Sequence, residues 1–226
     1  MNRPITTLFM LMSVDGKIST GATDEFDVDR DFPKIPGVKE GLNQYYEIEQ
    51  NTDLWSFNIG RVQAKMGVNE KEMPPKTPVS FVLLDNHHLT ENGVRYFCAR
   101  SKNAVIITTN PLHPAFQVKE DNLHIIFQKR SSLQEALACL KNEYGCDRLT
   151  IQSGGTVNGL FLRGKLIDFV DILVAPVLIG GKETPTLIDG DSLKTNQELN
   201  DLGVLELIGC EALNESYLRL RYRVIK

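Results

Sequence analysis

Continuous apolar runs recur along most of the chain, separated by polar stretches rich in glycine and proline. A run that is apolar at every position is typical of a strand covered on both faces, whereas strict alternation indicates a strand with one wet face. The pattern predicts strands at Ile5–Met12, Leu54–Ile59, Val79–Leu84, Ala104–Thr108, Asn122–Phe127, the segment that begins at Leu149, and Phe169–Pro176.

Helical periodicity is clearest after Ser132, which stands three residues before Glu135 in the spacing of a capping box. The leucines that follow share one helical face, and Gly145 is placed to end the helix. Weaker patterns predict helices at Val38–Gln50, at Arg61–Met66 and after Gly155, a mobile loop over residues 19–35 and a further loop at Glu70–Pro78.

The C-terminal segments Val204–Leu213 and Tyr217–Ile225 are predicted to pair as an antiparallel hairpin across Asn214-Glu215. The second segment alternates strictly, which predicts its apolar residues inward and its three arginines, at 219, 221 and 223, outward. Strands that alternate with helices and then end in a hairpin predict an α/β fold. Its mostly parallel central sheet is flanked by helices and carries the C-terminal antiparallel hairpin at one edge.

Composition narrows the function. The 226 residues are 42% hydrophobic and 24% charged, and no linker of distinct composition divides them, so we predict a single domain over residues 1–226. A net charge of −4 gives no support for nucleic-acid binding. No apolar stretch reaches the roughly 18–20 residues that span a bilayer, and we expect neither membrane association nor a signal peptide. The four cysteines lack C-x-x-C spacing, which favours free thiols and a cytoplasmic protein.

Candidate chemistry concentrates where predicted strands end. Ligands of open parallel sheets bind beyond the carboxyl ends of the strands, and the topology is expected to gather the loops there along one edge. Five loops follow predicted strands in this way: Ser13–Lys17, Gly60–Val62, Asp85-Asn86, Thr108–Asn110 and Ser153–Asn158.

The last of these loops belongs to the stretch LTIQSGGTVNGLFLRGKL, Leu149–Leu166, which has the order strand, glycine turn, helix. Gly154 and Gly155 let backbone approach a ligand closely, and the first amides of a helix are unpaired donors that favour an anion. We therefore hypothesise that Ser153, Gly154, Gly155, Thr156, Val157 and Asn158 hold the phosphates of a nucleotide cofactor. The alternative is a plain connection between a strand and a helix.

Three segments carry a family resemblance: SVDGKI at Ser13–Ile18, SGGTVN at Ser153–Asn158, and LID followed by ILVAPVLIGG at Leu166–Gly181. In combination they resemble the riboflavin-pathway reductases, which follow a deaminase in bifunctional riboflavin proteins. The resemblance implies a dihydrofolate-reductase-like fold, NADPH as cofactor, a small-molecule substrate and a homodimer. The resembled reaction reduces 5-amino-6-(5-phosphoribosylamino)uracil at its sugar carbon to a ribitylamine.

The resemblance also implies roles for residues. Ser13, Asp15 and Lys17 are expected at the substrate, with Lys17 near a phosphate and Asp15, or a water, as the proton source. Gln152 stands where the family commonly has a substrate-binding glutamate. The cofactor is expected at Gly60, Arg61, Asn86, Thr108 and Thr109, with Asn86 near the 2′-phosphate.

The chain departs from the family elsewhere. Gln63 replaces a threonine, and residues 24–50 lack the Asp-Ser-Arg and His-x-x-Arg segments that grip the phosphoribosyl group. A reductase of a pterin-like, imine or carbonyl substrate, or an NADPH-binding protein without catalysis, therefore stays open. The zinc-deaminase signature is missing from these residues. His87 and His88, adjacent on a predicted strand, lack partners at ligand spacing, so we predict no metal site.

The edges and faces of the predicted strands bear on assembly. Phe169–Pro176 is apolar on both faces and, unlike the arginine-bearing C-terminal strand, has no charged guard against pairing. This predicts a homodimer whose interface is rich in residues 168–180, with Asp168 and Asp171 near their own copies or near the partner's arginines.

Overall fold

The computed structural model describes residues 2–226. Its strands are β1 (Ile5–Ser13), β2 (Trp55–Ile59), β3 (Ser80–Leu84), β4 (Ala104–Thr108), β5 (Leu123–Phe127), β6 (Arg148–Ile151), β7 (Phe169–Ala175), β8 (Val204–Ala212) and β9 (Leu218–Ile225). Its α-helices are α1 (Val28–Asp31), α2 (Asn43–Glu49), α3 (Gly60–Lys65), α4 (Glu91–Arg100), α5 (Leu133–Tyr144) and α6 (Gly155–Arg163).

The described residues form two compact units, one of residues 2–5 and 53–153 and one of residues 6–52 and 154–226. In the first unit the strands lie in the order β5-β4-β3-β2-β6, and every neighbouring pair is parallel. Apolar side chains of α4 pack on β3 and β4 in a cluster that includes Leu83, Ile106 and Phe97. The single domain predicted from composition stays a prediction.

In the second unit the strand order is β1-β7-β9-β8. Strands β1 and β7 are parallel, whereas β7–β9 and β9–β8 are antiparallel. Phe9 of β1 is fully buried and stacks on Tyr45 of α2, with ring centroids 5.2 Å apart. The two units together confirm the predicted α/β class, with a mostly parallel set of strands and an antiparallel C-terminal hairpin.

Local sequence signals explain most of the agreement between the predicted and the observed helices and strands. Ser132 caps α5 by accepting a hydrogen bond from the amide of Glu135, and Gly145 ends the helix with a φ of 67°. That left-handed conformation costs little at glycine because no Cβ is present. All seven strands predicted before the hairpin are found within two residues of their predicted bounds.

Two predictions about local structure were wrong. Residues 28–34, predicted as part of a mobile loop, form a helical turn that continues into a 3-10 helix, because Val28 and Phe32 bury their side chains against the core of the second unit. His87 and His88 lie in a turn that follows β3, not on a strand. Helix α4, capped by Thr90, was not predicted.

The C-terminal hairpin has the predicted alternation, but its apolar residues are not buried as expected. The alternation in β9 is present, but its arginines are paired: Arg219 with Asp171, Arg221 with Glu211 and Arg223 with Glu206. The opposite face carries apolar side chains from both strands and stays largely exposed. We call it the hairpin apolar face, and it consists of Leu205, Leu207, Cys210, Ala212, Leu218, Leu220, Tyr222 and Val224.

The predicted need to cover β7 was also wrong. Strand β7 lies between β1 and β9, so its backbone is paired on both sides, and Val170 and Leu173 are buried by the chain itself. Asp171 binds Arg219, and Asp168 binds Lys226 and accepts from the amide of Thr6, so both carboxylates have partners in their own chain. The outer strand of this unit is β8.

Candidate functional site

The amino terminus of α6 presents open hydrogen-bond donors. Gly154 is its N-cap residue and supplies no capping side chain, and Asn158 makes the first intrahelical bond by donating to the carbonyl of Gly154 at 3.0 Å. Within residues 2–226 the amides of Thr156 and Val157 donate to no acceptor. Unpaired amides at the positive end of a helix dipole are donors suited to a phosphate oxygen.

The two glycines on the side of α6 have a different explanation. A Cβ on Gly155 would lie 2.2 Å from Oδ2 of Asp189 and 2.3 Å from the carbonyl oxygen of Thr186, and a Cβ on Gly159 would lie 2.1 Å from the carbonyl oxygen of Asp189. The amide of Asp189 donates to the carbonyl of Gly155 at 2.9 Å. The chain's own residues 186–189 therefore fill the space that the sequence suggested for a ligand.

Asn158 is a second contact to the same segment. Its side chain is fully buried, and its Nδ2 donates to the carbonyl of Leu187 at 2.8 Å. Thr186 closes the segment on itself by donating from its hydroxyl to Oδ1 of Asp189 at 2.6 Å. We call residues 177–190 the strap, because this part of the chain is tied along its length to α6 and to the loop after β1.

Asp15 holds one end of the strap. Its carboxylate accepts from the hydroxyl of Ser13 at 2.5 Å and from the amides of Ile179 at 3.0 Å and Gly180 at 2.6 Å. The bond from Ser13, supported by the two amides, lowers the pKa of Asp15 to about 2. Asp15 is thus a carboxylate in neutral solution, and it accepts hydrogen bonds without having a proton to give.

Lys17 holds the middle of the strap. Its ammonium group donates to the carbonyl oxygens of Gly181 at 2.7 Å and Thr184 at 2.9 Å, and its backbone forms an antiparallel bridge with Thr186. The amide of Lys17 donates to Oγ of Ser13, so Ser13, Asp15 and Lys17 form one connected turn. The structure brings these three predicted substrate residues together, and it adds the strap as a partner that was not predicted.

In the first unit, Asn86 joins the loops that follow β3 and β4, two of the loops that were expected to lie along one edge. Its Oδ1 accepts from the hydroxyl of Thr108 at 3.0 Å, the amide of Thr109 at 2.8 Å and the hydroxyl of Thr109 at 3.1 Å. Three donors fix which end of the carboxamide is oxygen. The two N–H groups on Nδ2 therefore point away from the threonines, and they donate to no acceptor within residues 2–226.

Asp85 organises the loop that carries Asn86. Its carboxylate accepts from the amides of His88 and Leu89 and from the buried ring of His113, whose Nε2 lies 2.9 Å from Oδ2. Because the amide of Ala115 donates to Nδ1 of His113, the ring proton lies on Nε2. Burial acts to raise the pKa of Asp85, but the bonds from His113, Leu89 and His88 outweigh it and hold the pKa well below its usual range.

Asp85 was among the predicted loop residues, but its partner His113 was not predicted, since nothing near His113 in the sequence marks it as a partner of Asp85. The carboxylate also explains Gly60, because a Cβ there would lie 2.4 Å from Oδ1 of Asp85. Arg61, the next residue, is exposed on α3.

Gln152 ends a chain of polar side chains within the first unit. Gln63 donates to Asn58 at 3.1 Å, Asn58 donates to Ser56 at 2.9 Å, and the hydroxyl of Ser56 donates to Oε1 of Gln152 at 2.8 Å. The two positions that depart from the resembled family, Gln63 and Gln152, are therefore linked through this network. The oxygen of Gln152 is committed to Ser56.

Neither a cluster of metal-binding side chains nor a membrane-spanning helix is found among residues 2–226. No group of three or more His, Cys, Asp or Glu side chains among residues 2–226 is arranged to hold a metal ion. None of the helices in that range is long and apolar enough to cross a membrane.

Comparison with known proteins gives three relevant relatives. A reductase from Methanothermobacter thermautotrophicus, named 2,5-diamino-6-ribosylamino-4(3H)-pyrimidinone 5′-phosphate reductase, is 26% identical over 221 residues, which is 96% of each chain. RibD of Acinetobacter baumannii is 15% identical with a TM-score of 0.69; all of this chain is covered, but it spans only 59% of the length of that RibD. Dihydrofolate reductase from Enterococcus faecalis, in complex with NADP(H), is 12% identical with a TM-score of 0.50 and covers 98% and 97% of the two chains.

These likenesses confirm the dihydrofolate-reductase-like fold, and family and fold together imply a nicotinamide cofactor. The open amides of α6 in the second unit are donors of the kind that a phosphate of such a group requires. The model of the RibD C-terminal domain, a reductase family of riboflavin biosynthesis, matches residues 4–217. The chain therefore belongs to the RibD C-terminal domain family.

Proposed function

We propose that this protein is an NADPH-dependent reductase of a phosphoribosylamino pyrimidine in riboflavin biosynthesis. The observation that carries the proposal is the uncapped amino terminus of α6, with open amides at Thr156 and Val157 directly after the family's glycine turn. The near full-length likeness to a reductase of a diamino pyrimidinone phosphate supports the substrate class. The sugar carbon gains a hydride and the substrate gains a proton, while NADPH is oxidised to NADP⁺.

Two groups of this chain are assigned to the cofactor. The amides of Thr156 and Val157, with the hydroxyl of Thr156, hold the pyrophosphate, because they are oriented donors without other partners. The cofactor is NADPH rather than NADH in this proposal, and Asn86 donates from Nδ2 to its ribose 2′-phosphate. When bound, the cofactor supplies the hydride.

The proton comes from water in this proposal. Asp15, whose pKa lies near 2, is ionised at neutral pH and serves as an acceptor that orients the strap and the polar groups of the substrate. Lys17 donates two of its three N–H groups to the carbonyls of Gly181 and Thr184. Its third donor is assigned to the substrate phosphate.

The decisive experiment mixes purified protein with NADPH and each of two substrates, the 2,5-diamino pyrimidinone phosphate and the aminouracil phosphate. Loss of absorbance at the nicotinamide band with one of them, and appearance of the ribitylamine product, is the expected result. NADPH binding without oxidation in the presence of either compound would favour the non-catalytic alternative. Oxidation of NADPH only in the presence of a pterin, imine or carbonyl compound would show that the protein reduces another class of substrate.

We also propose a homodimer, with a second copy covering the hairpin apolar face. Leu205, Leu207 and Leu218 are 43%, 55% and 40% exposed although they sit in register on one sheet face. Exposed apolar patches of this kind mark interaction sites, and a stable dimer buries at least about 1,200 Å² in total.

Four free cysteines accord with a reducing compartment, and we place the protein in the cytoplasm.

A further inference from the structure

The strand β5 ends in a short loop, residues 128–132, that carries two cations at its tip. Gln128 is buried, and its side chain closes the loop by donating from Nε2 to the carbonyl of Ser132 at 2.9 Å and by accepting from the amide of Ser132 at 3.1 Å. The ends of the loop are thereby pinned together. Lys129 and Arg130 are exposed beyond this clasp.

This loop lies at the same edge of the first unit as Asn86. Strands β3, β4 and β5 are parallel neighbours, and the amide of Gln128 donates to the carbonyl of Thr108 at 2.9 Å. Adjacent strands are about 4.8 Å apart, so the ends of β3 and β5 are separated by about 10 Å. Long lysine and arginine side chains can span much of that distance across the loop after β4.

The two cations are uncompensated. Arg95 and Arg148, also in the first unit, are paired with Glu120 and Asp53. Neither Lys129 nor Arg130 has a carboxylate partner anywhere in residues 2–226. An anionic ligand that binds at the carboxyl ends of these strands would be attracted by both cations. It would not have to displace an existing ion pair, because neither cation has one.

Asn86 alone does not supply that charge. Its Nδ2 offers two neutral donors, and its neighbour Asp85 is a buried carboxylate whose negative charge works against an anion nearby. A phosphate monoester carries about −1.5 to −2 charges near pH 7. Hydrogen bonds from cationic donors to such a group are roughly twice as strong as those from neutral ones.

We propose that Lys129 and Arg130 bind the 2′-phosphate of the nicotinamide cofactor and set the preference for NADPH over NADH. This inference rests on the proposed reductase function, and it names the charged partners that the sequence alone did not reveal. Asn86 orients the phosphate, and the two cations provide the discrimination.

The test uses the full chain with the double substitution Lys129→Ala/Arg130→Ala. Dissociation constants for NADPH and NADH are measured by nicotinamide fluorescence at several salt concentrations. We expect the NADPH constant to rise at least about tenfold, which is the effect of losing one charge-assisted bond, while the NADH constant changes less than about twofold. The salt dependence of NADPH binding should also become shallower.

A matched control is available in the same unit. Lys102 and Lys119 are exposed and precede β4 and β5, at the opposite ends of these strands, so Lys102→Ala/Lys119→Ala removes the same charge and should leave both constants unchanged. If the alanine pair at 129 and 130 lowers the melting temperature, Lys129→Gln/Arg130→Gln retains the aliphatic stems and gives the same comparison.

The outcomes separate the two proposals. Unchanged NADPH binding in the variant, or equal weakening of NADPH and NADH, overturns the role of Lys129 and Arg130 and leaves the reductase proposal in place when the unmodified protein binds and oxidises NADPH. Failure of the unmodified protein to bind either nucleotide overturns both. Competition by 2′,5′-ADP but not by 5′-AMP, lost in the variant, is the confirming result.

Discussion

The carboxylate of Asp189 lies 2.2 Å from the point at which a Cβ on Gly155 would stand. This closeness ties the first turn of α6 to the strap, residues 177–190, and it assigns the glycine to packing within the chain. The neighbouring amides of Thr156 and Val157 remain the open donors, so packing and anion binding use different atoms of the same turn.

Gly155→Ala should destabilise the protein by about 1–3 kcal/mol, because the added methyl group overlaps the carbonyl of Thr186 and the carboxylate of Asp189. Thermal or denaturant unfolding measures the effect. Thr156→Ala, one residue later and exposed, is the matched control and should leave stability within about 0.5 kcal/mol. Equal stability of the two variants would show that the strap does not pack on Gly155 in solution.

The anchoring of the strap by Asp15 should depend on pH. The pKa of Asp15 is lowered in the folded chain to about 2 from the ordinary value of 3.8, so its stabilising bonds are fully present above pH 3.8 and are lost as the pH falls toward 2. The protection factors of the amides of Ile179 and Gly180, which correct for the intrinsic pH dependence of exchange, should fall in that window. Asp15→Asn should remove the pH dependence, and a profile unchanged by that substitution would contradict the assignment.

His113→Ala should cost at least about 2 kcal/mol, because it leaves the carboxylate of Asp85 buried with one strong donor missing and the amide of Ala115 without an acceptor. Denaturant unfolding provides the measurement, and His87→Ala, an exposed change beside Asn86, is the control. Since the folded pKa of Asp85 is lowered, its contribution is present at neutral pH and is lost on acidification below its ordinary value. A variant as stable as the control would exclude this role for the His113–Asp85 pair.

Leu207→Glu should convert a dimer to a monomer, because a charge in the centre of the hairpin apolar face is left desolvated when a second copy covers it. Light scattering at micromolar concentration reports the mass, and the monomer mass is 25.4 kDa. Leu112→Glu, at an 86% exposed leucine of the first unit, should leave the mass unchanged. A monomeric unmodified protein would end the dimer proposal.

The sequence predicts the strands well because each is a short apolar run bounded by turn residues, as at Ala104–Thr108, where prediction and structure coincide. Helix α4 was not predicted because Gly93 and Arg95 interrupt its apolar pattern. Its N-cap residue Thr90 also lacks the Glu three residues later that completes a capping box. Tertiary burial of Val94 and Phe97 stabilises it, and such packing is not visible in a local pattern.

The hairpin shows a different limit. Alternation in β9 correctly predicts which residues share a face, but it does not say what covers that face. Asp171, Glu206 and Glu211 come from other strands and pair with the three arginines, while the leucines on the other face stay exposed. The same limit applies to the candidate site. Its loops were predicted, but the packing of the strap and the contact between His113 and Asp85 were not, because both depend on long-range contacts.

The carboxamide of Asn86 is held by three donors before any ligand arrives. A side chain that must be immobilised on binding costs about 0.5–1.5 kcal/mol of lost rotational freedom. The side chain of Asn86 loses this freedom on folding and not on binding, since Thr108 and Thr109 leave it a single orientation. An acceptor that meets its Nδ2 therefore finds a rigid donor pair, and selectivity at this position is decided by how well the incoming group matches a fixed direction.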